Sequence, residues 1–174
     1  LELVNHEVNA LPYIKNYNGI CTPNYSPRES ELTHVYGYSS SIKRAFNYGF
    51  FCKESIVFSL PFNINLKDYK INFICKGLNL QDDKIKYKYT NSKIILDAIP
   101  IASINKPSFI KNYFEHILEL VNLKNISSDI FSKIISFNCF RRQEIIRELE
   151  SVDNYSSRMI RRAMNYEFDS ISHV

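Results

Sequence analysis

Three short runs near the start of the chain carry side chains suited to chemistry: Asn5-His6, Tyr36-Gly37 and Tyr48-Gly49-Phe50. An amide-imidazole pair, a phenol and a second Tyr-Gly-aromatic turn are the parts of which a methyl-transfer site is built. Moving a methyl group from a sulfonium donor to an amine needs no covalent enzyme intermediate. The protein supplies in-line geometry, a dry channel and oxygen dipoles around developing charge, so residues with few charges suit the task. An aromatic face beside a sulfonium is favourable by about 0.5–2 kcal/mol, as for other cations. A metal-based reading of the first run fails at one position. His6-Glu7-Val8-Asn9-Ala10 opens like the zinc-protease helix, but Ala10 stands where the second ligand belongs.

Taken singly, each of these residues has a plainer reading. The chain has twelve tyrosines, and most must be half-buried packing groups with a wet hydroxyl. Asn5 alone is a turn former, and a lone histidine beside an apolar strand is more often a satisfied core residue than a ligand. Only the ordered set favours function.

Composition bounds the alternatives. With 174 residues, 45% apolar and 14% aromatic, the chain is expected to be globular, with one sizeable core or two small ones. A net charge of +4, with lysines spread along the length, demands neither nucleic acid nor membrane as partner. A basic-aromatic surface for nucleic acid would draw on Lys84, Lys86, Lys88, Tyr87 and Tyr89, or on Arg141, Arg142, Arg147, Arg158, Arg161 and Arg162. Alternation on a strand separates those lysines from those tyrosines, and the six arginines are matched by six acids from residue 141 onward. Cys21, Cys52, Cys75 and Cys139 form no C-x-x-C pair and lie at no metal-ligand spacing from histidine, which favours free thiols in a reducing compartment. No apolar run approaches the roughly 20 residues that span a bilayer, and the first residues lack the charged and hydrophobic regions of a signal peptide. A soluble, monomeric, intracellular protein is expected, cytoplasmic or nuclear, with an organelle left open. The opening Leu-Glu-Leu-Val run reads as the inside of a strand or buried turn, as in a fragment of a longer protein.

The elements that must position these residues follow from periodicity. Turn formers dominate residues 1–62, suiting small strands and loops, with one helical turn at 40–46. Residues 55–60 read as a strand stopped by Pro61. The spacing over 66–78 suggests a helix with Gly77 as C-cap. Lys84-Ile85-Lys86-Tyr87-Lys88-Tyr89 alternates as a strand, and Asn91-Ser92 turns it into Lys93-Ile94-Ile95-Leu96, a hairpin whose lysines discourage edge pairing. After Pro107 the period becomes helical, with Phe109, Ile110, Tyr113, Phe114, Ile117, Leu118 and Val121 on one stripe. Three more helices are expected: one capped by Ser127 or Ser128, one over 141–151, and one capped by Asn154 or Ser156.

In order and interval, the motifs resemble the end of the SET domain in protein methyltransferases of the Rubisco large-subunit methyltransferase and actin-histidine methyltransferase type. Those proteins carry an Asn-His pair, a Glu-rich turn into Tyr-Gly, then Ser-Asn-x-Glu-Leu-Leu, then Tyr-Gly-Phe. Here Asn5-His6, the stretch from Glu29 to Tyr36-Gly37, Ser40-Ser41 and Tyr48-Gly49-Phe50 occupy those places. At lower specificity, the segment 70–78, a short sheet, a helical bundle and Arg162-Ala163-Met164-Asn165-Tyr166 resemble the substrate-binding domain that follows. Glu2, Ser41 and Lys43-Arg44 stand where the family has Asp, Asn and Glu-Leu. The last two exchanges are expected to loosen the packing of that helix or to mark an inactive site.

The resemblance implies an α+β chain. Residues 1–62 would be the C-terminal part of a β-rich SET core, and residues 63–174 a mostly helical substrate-binding domain with a small hairpin. It implies an S-adenosyl-L-methionine-dependent protein N-methyltransferase with a lysine, or a histidine, as acceptor and a protein as substrate; the isolated chain would be inactive. Asn5 and the backbone at His6 would hold the donor, and Tyr48, Gly49 and Phe50 would line its adenine or methionine portion. Tyr36 would place its hydroxyl beside the transferred methyl and orient the amine without ionising. The rival reading is a non-catalytic protein-binding module derived from this family, since the bundle docks partners and the upstream half of the donor pocket is absent.

Overall fold

The computed structural model describes residues 5–6, 14–16, 19–21, 33–34, 40–51, 53–54, 56–77, 87–90, 92–103, 107–120 and 122–172. Its elements are mixed α+β, and the chain divides into two compact units, Leu1–Tyr38 and Ser39–Val174. In the first, β1 (Asn5–His6) pairs in parallel with β4 (Thr33–His34), while β2 (Ile14–Asn16) and β3 (Gly19–Cys21) form an antiparallel hairpin. The strand or buried turn expected at residues 1–4 lies outside the described residues.

The second unit opens with α1 (Ser41–Tyr48) and β5 (Ile56–Phe58). A four-stranded sheet follows, in the order β6 (Phe62–Leu66), β7 (Ile71–Gly77), β9 (Lys93–Ala98), β8 (Tyr87–Thr90). Two hairpins, β6–β7 and β8–β9, are joined through the parallel pair β7–β9. The expected hairpin at 84–96 is thus half of a larger sheet, with Lys88 on its edge strand; Lys84, Ile85 and Lys86 lie outside the described residues. Register aligns Phe62, Cys75 and Leu96 across the sheet, and likewise Ile64, Phe73 and Ile94. Tyr87 and Tyr89 sit opposite Leu96 and Ile94 but remain 48% and 45% exposed, because they lie at the edge of that face.

The helix expected over 66–78 is β7 instead. Ile71, Phe73 and Cys75 are buried and alternate with less buried neighbours, a period of two. The misleading spacing came from Tyr69, which belongs to a separate 3₁₀ turn, Lys67–Tyr69. Gly77 is the last strand residue and Leu78 lies outside the described residues. Strands β6 and β10 (Pro100–Ser103) were not anticipated. Asn63 and Asn65 disguise the alternation of Phe62, Ile64 and Leu66, and Pro100 opens a strand whose partner, β5, is distant in sequence.

Three long helices close the chain: α2 (Pro107–Leu120), α3 (Ser127–Glu150) and α4 (Tyr155–Ile171). Of the expected α2 stripe, Ile110, Phe114, Ile117 and Leu118 are buried; Val121 and the side chain of Phe109 lie outside the described residues. The two helices expected over 127–151 are one, since neither Gly nor Pro interrupts them. Asn154 caps α4 in a capping box with Ser157. The main core lies between the sheet and α2 and α3, where Phe62, Phe73, Phe114 and Phe131 form a chain of ring contacts 5.2–6.2 Å apart.

Candidate functional site

The Tyr48-Gly49-Phe50 turn is set by the ends of α1. Ser40 caps the helix by accepting from the Lys43 amide at 3.0 Å. At the other end Gly49 takes φ 71°, a left-handed conformation open to glycine, and donates to the Ala45 carbonyl at 3.1 Å. Space around a Cβ at Gly49 is open, so the backbone angle is what calls for glycine there. The turn leaves Tyr48 56% exposed and Phe50 half-buried, their rings 6.0 Å apart.

Helix α4 holds the residues around this turn. Tyr155 Oη donates to the Gly49 carbonyl at 3.1 Å, and Tyr166 Oη donates to the Glu54 carbonyl at 2.6 Å. Arg162 lies over the Phe51 ring at 5.2 Å, and Tyr166 meets that ring edge-on at 5.9 Å.

Beneath α1 runs a buried polar network. Arg142, on α3, donates to Glu167 on α4 at 2.7 Å, to the Phe58 carbonyl at 2.8 Å and to Asn138 Oδ1. Glu167 in turn accepts from the Ile42 amide at 3.1 Å, in the first turn of α1. Burial pushes the Glu167 carboxyl up from its usual range, while Arg142 and the amides of Ile42 and Ser41 oppose that rise. Asn138 accepts from the Leu60 amide and donates to Ser59 Oγ and the Ile134 carbonyl, all at 2.8 Å. Arg44 pairs with Glu54, whose amide donates to Ser41 Oγ at 3.2 Å. Every side chain in this network is buried. Only Arg142 Nε finds no partner among the described residues.

Asn5 and His6 form β1, in register with Thr33 and His34. Tyr36 and Gly37 lie outside the described residues. Ser41 and Arg44 do not loosen their helix, since both are buried and bonded. Arg142 is removed from any surface on which it could meet nucleic acid. Sequence reasoning missed Asn138, Arg142 and Glu167. Their signal was positional: Ile130, Ile134, Asn138 and Arg142 are the buried residues of α3, four apart, and Ala163, Glu167 and Ile171 repeat that spacing on α4.

A separate cleft of about 780 Å³ opens between β10, α2, α3 and α4, with Ile101, Ile110, Phe114 and Phe131 in its wall and Asp169 at its lining. Its lining includes Tyr166 but none of Asn5, His6, Tyr48, Gly49 or Phe50. Among the described residues no group of three or more His, Cys, Asp or Glu is placed to hold a metal ion, and no helix is long and apolar enough to cross a membrane. No protein-family model, no curated protein and no solved structure matches this chain.

Proposed function

We propose that this chain is the C-terminal part of a SET-type, S-adenosyl-L-methionine-dependent protein N-methyltransferase acting on a lysine, or a histidine, of a protein substrate. The observation that carries the reading is the parallel pairing of β1 with β4. Its register sets Asn5 beside Thr33 and His6 beside His34, bringing the Asn-His pair to the strand that leads, two residues on in sequence, to Tyr36. The left-handed Gly49 turn is a second support, because it brings the Tyr48 and Phe50 rings within 6.0 Å of each other.

S-adenosyl-L-methionine would supply the methyl group from its sulfonium, which would leave as the neutral thioether. By resemblance, Asn5 and the His6 backbone would hydrogen-bond the donor, and Tyr48, Gly49 and Phe50 would line it, a neutral aromatic surface that suits a sulfonium and an adenine. The Tyr36 hydroxyl would orient the acceptor amine, a role for which it need not ionise.

Titration of the full-length protein with S-adenosyl-L-methionine in a calorimeter tests this. Saturable one-to-one heat is expected. A folded protein that gives none belongs to the non-catalytic, protein-binding alternative.

A further inference from the structure

The geometry points to helix α4 as the positioning element of the candidate donor turn, with Tyr155 and Tyr166 holding the Gly49–Glu54 backbone in place. This rests on the methyltransferase reading of that turn. Tyr155, Arg162 and Tyr166 are spaced by seven and then four residues, so they share one face of α4. That face meets the chain leaving α1 at three successive places: the Gly49 carbonyl, the Phe51 ring and the Glu54 carbonyl. The next residue, Glu167, reaches the opposite end of α1 through the Ile42 amide. Helix α1 is therefore tied at both ends to one helix from the far end of the sequence.

Such a tie matters at a glycine turn. The carbonyl of a left-handed glycine is open to reorientation, and the described residues 49–51 and 53–54 form no helix or strand of their own. The Tyr155 hydroxyl bonds the Gly49 carbonyl from a ring that is 61% exposed, so it contributes little to the core. Removing that hydroxyl leaves the fold and frees the turn. Tyr155 and Tyr166 are thus positioning residues, acting on the donor through the backbone between Tyr48 and Glu54.

The test compares full-length protein with its Tyr155→Phe, Tyr166→Phe and double variants by hydrogen exchange and by titration with S-adenosyl-L-methionine. Loss of one hydrogen bond corresponds to about a fivefold change. Amides of residues 49–54 are expected to exchange about fivefold faster in Tyr155→Phe, with those of α3 unchanged. The donor dissociation constant should rise by a similar factor, and more in the double variant. In turnover the donor KM rises while kcat is kept, a split that general destabilisation does not produce. Unchanged exchange at 49–54, or unchanged donor affinity in variants of a protein that binds donor, overturns the proposal. Wild-type protein that binds no donor overturns instead the reading of the turn on which the affinity claim rests, and the exchange data still decide the tie to α4.

Discussion

The second unit contains two buried regions built on different rules. Between the sheet and helices α2 and α3 the interior is apolar: Phe62, Phe73, Leu96, Phe114 and Leu118 fill it, and strand register and the α2 stripe decide which side chains enter. Beneath α1 the apolar part is small, Ile42, Ala45, Leu60, Ala163 and Met164, and it is threaded by Arg142, Glu167, Asn138, Arg44 and Glu54. The first region is specified by volume and tolerates exchange of one hydrophobic residue for another of similar size. The second is specified by donors and acceptors, each of which becomes costly once its partner is gone. The region with the stricter rule is the one that carries the Tyr48-Gly49-Phe50 turn.

The largest way to break this contrast is to remove one half of its ion pair. Arg142→Ala leaves Glu167 buried without its cation and should destabilise by about 3–5 kcal/mol in denaturant unfolding. A cost below about 1 kcal/mol would mean that the network is not structural. A sharper comparison exchanges residues of similar size in the two regions. Asn138→Leu orphans the Leu60 amide and disturbs Ser59 and Arg142, at about 2–4 kcal/mol. Leu96→Met in the apolar core should cost less than about 1.5 kcal/mol. Equal costs would remove the distinction.

A smaller effect reports on the apolar side through pH. Burial pushes the Cys75 thiol from 9.0 up to about 11. Between those values the unfolded chain has lost a proton that the folded chain keeps, so stability falls as pH rises from 9.0 toward 11. The difference is at most about 3 kcal/mol, and comparing wild type with Cys75→Ala isolates it from the tyrosines. At pH 8 iodoacetamide should label Cys75 more slowly than the half-buried Cys139, as read by peptide mass. Equal labelling rates would show that the sheet opens readily.

What the sequence made legible was local. The helical turn near 40–46, the turn at Gly49, the α2 stripe, the Asn154 cap and the β8–β9 hairpin each follow from residues within a few positions of one another. Strand β7 was misread because Tyr69 supplied a false helical spacing. Strands β6 and β10 were hidden because Asn63, Asn65 and Pro100 are poor strand formers whose partners are set by the sheet. The polar network was invisible for a related reason. An asparagine and an arginine on a helix read as solvent-facing until the i, i+4 continuation of Ile130 and Ile134 is followed through them, and Glu167 is needed to justify their burial. Arg44 likewise looked like a disruptive exchange until Glu54, ten residues on, came to meet it. Of the candidate site, the turn at Gly49 and the strand at Asn5-His6 were read from the sequence as motifs, while the helix that ties down the turn was read only as part of a bundle.

The role proposed for Tyr36, to orient an acceptor beside a bound methyl donor, is tested most directly by one variant. Full-length Tyr36→Phe should bind S-adenosyl-L-methionine with an affinity close to wild type, while transfer of labelled methyl to its protein substrate falls by at least about a hundredfold. Labelled-methyl transfer that continues at the wild-type rate would contradict the account.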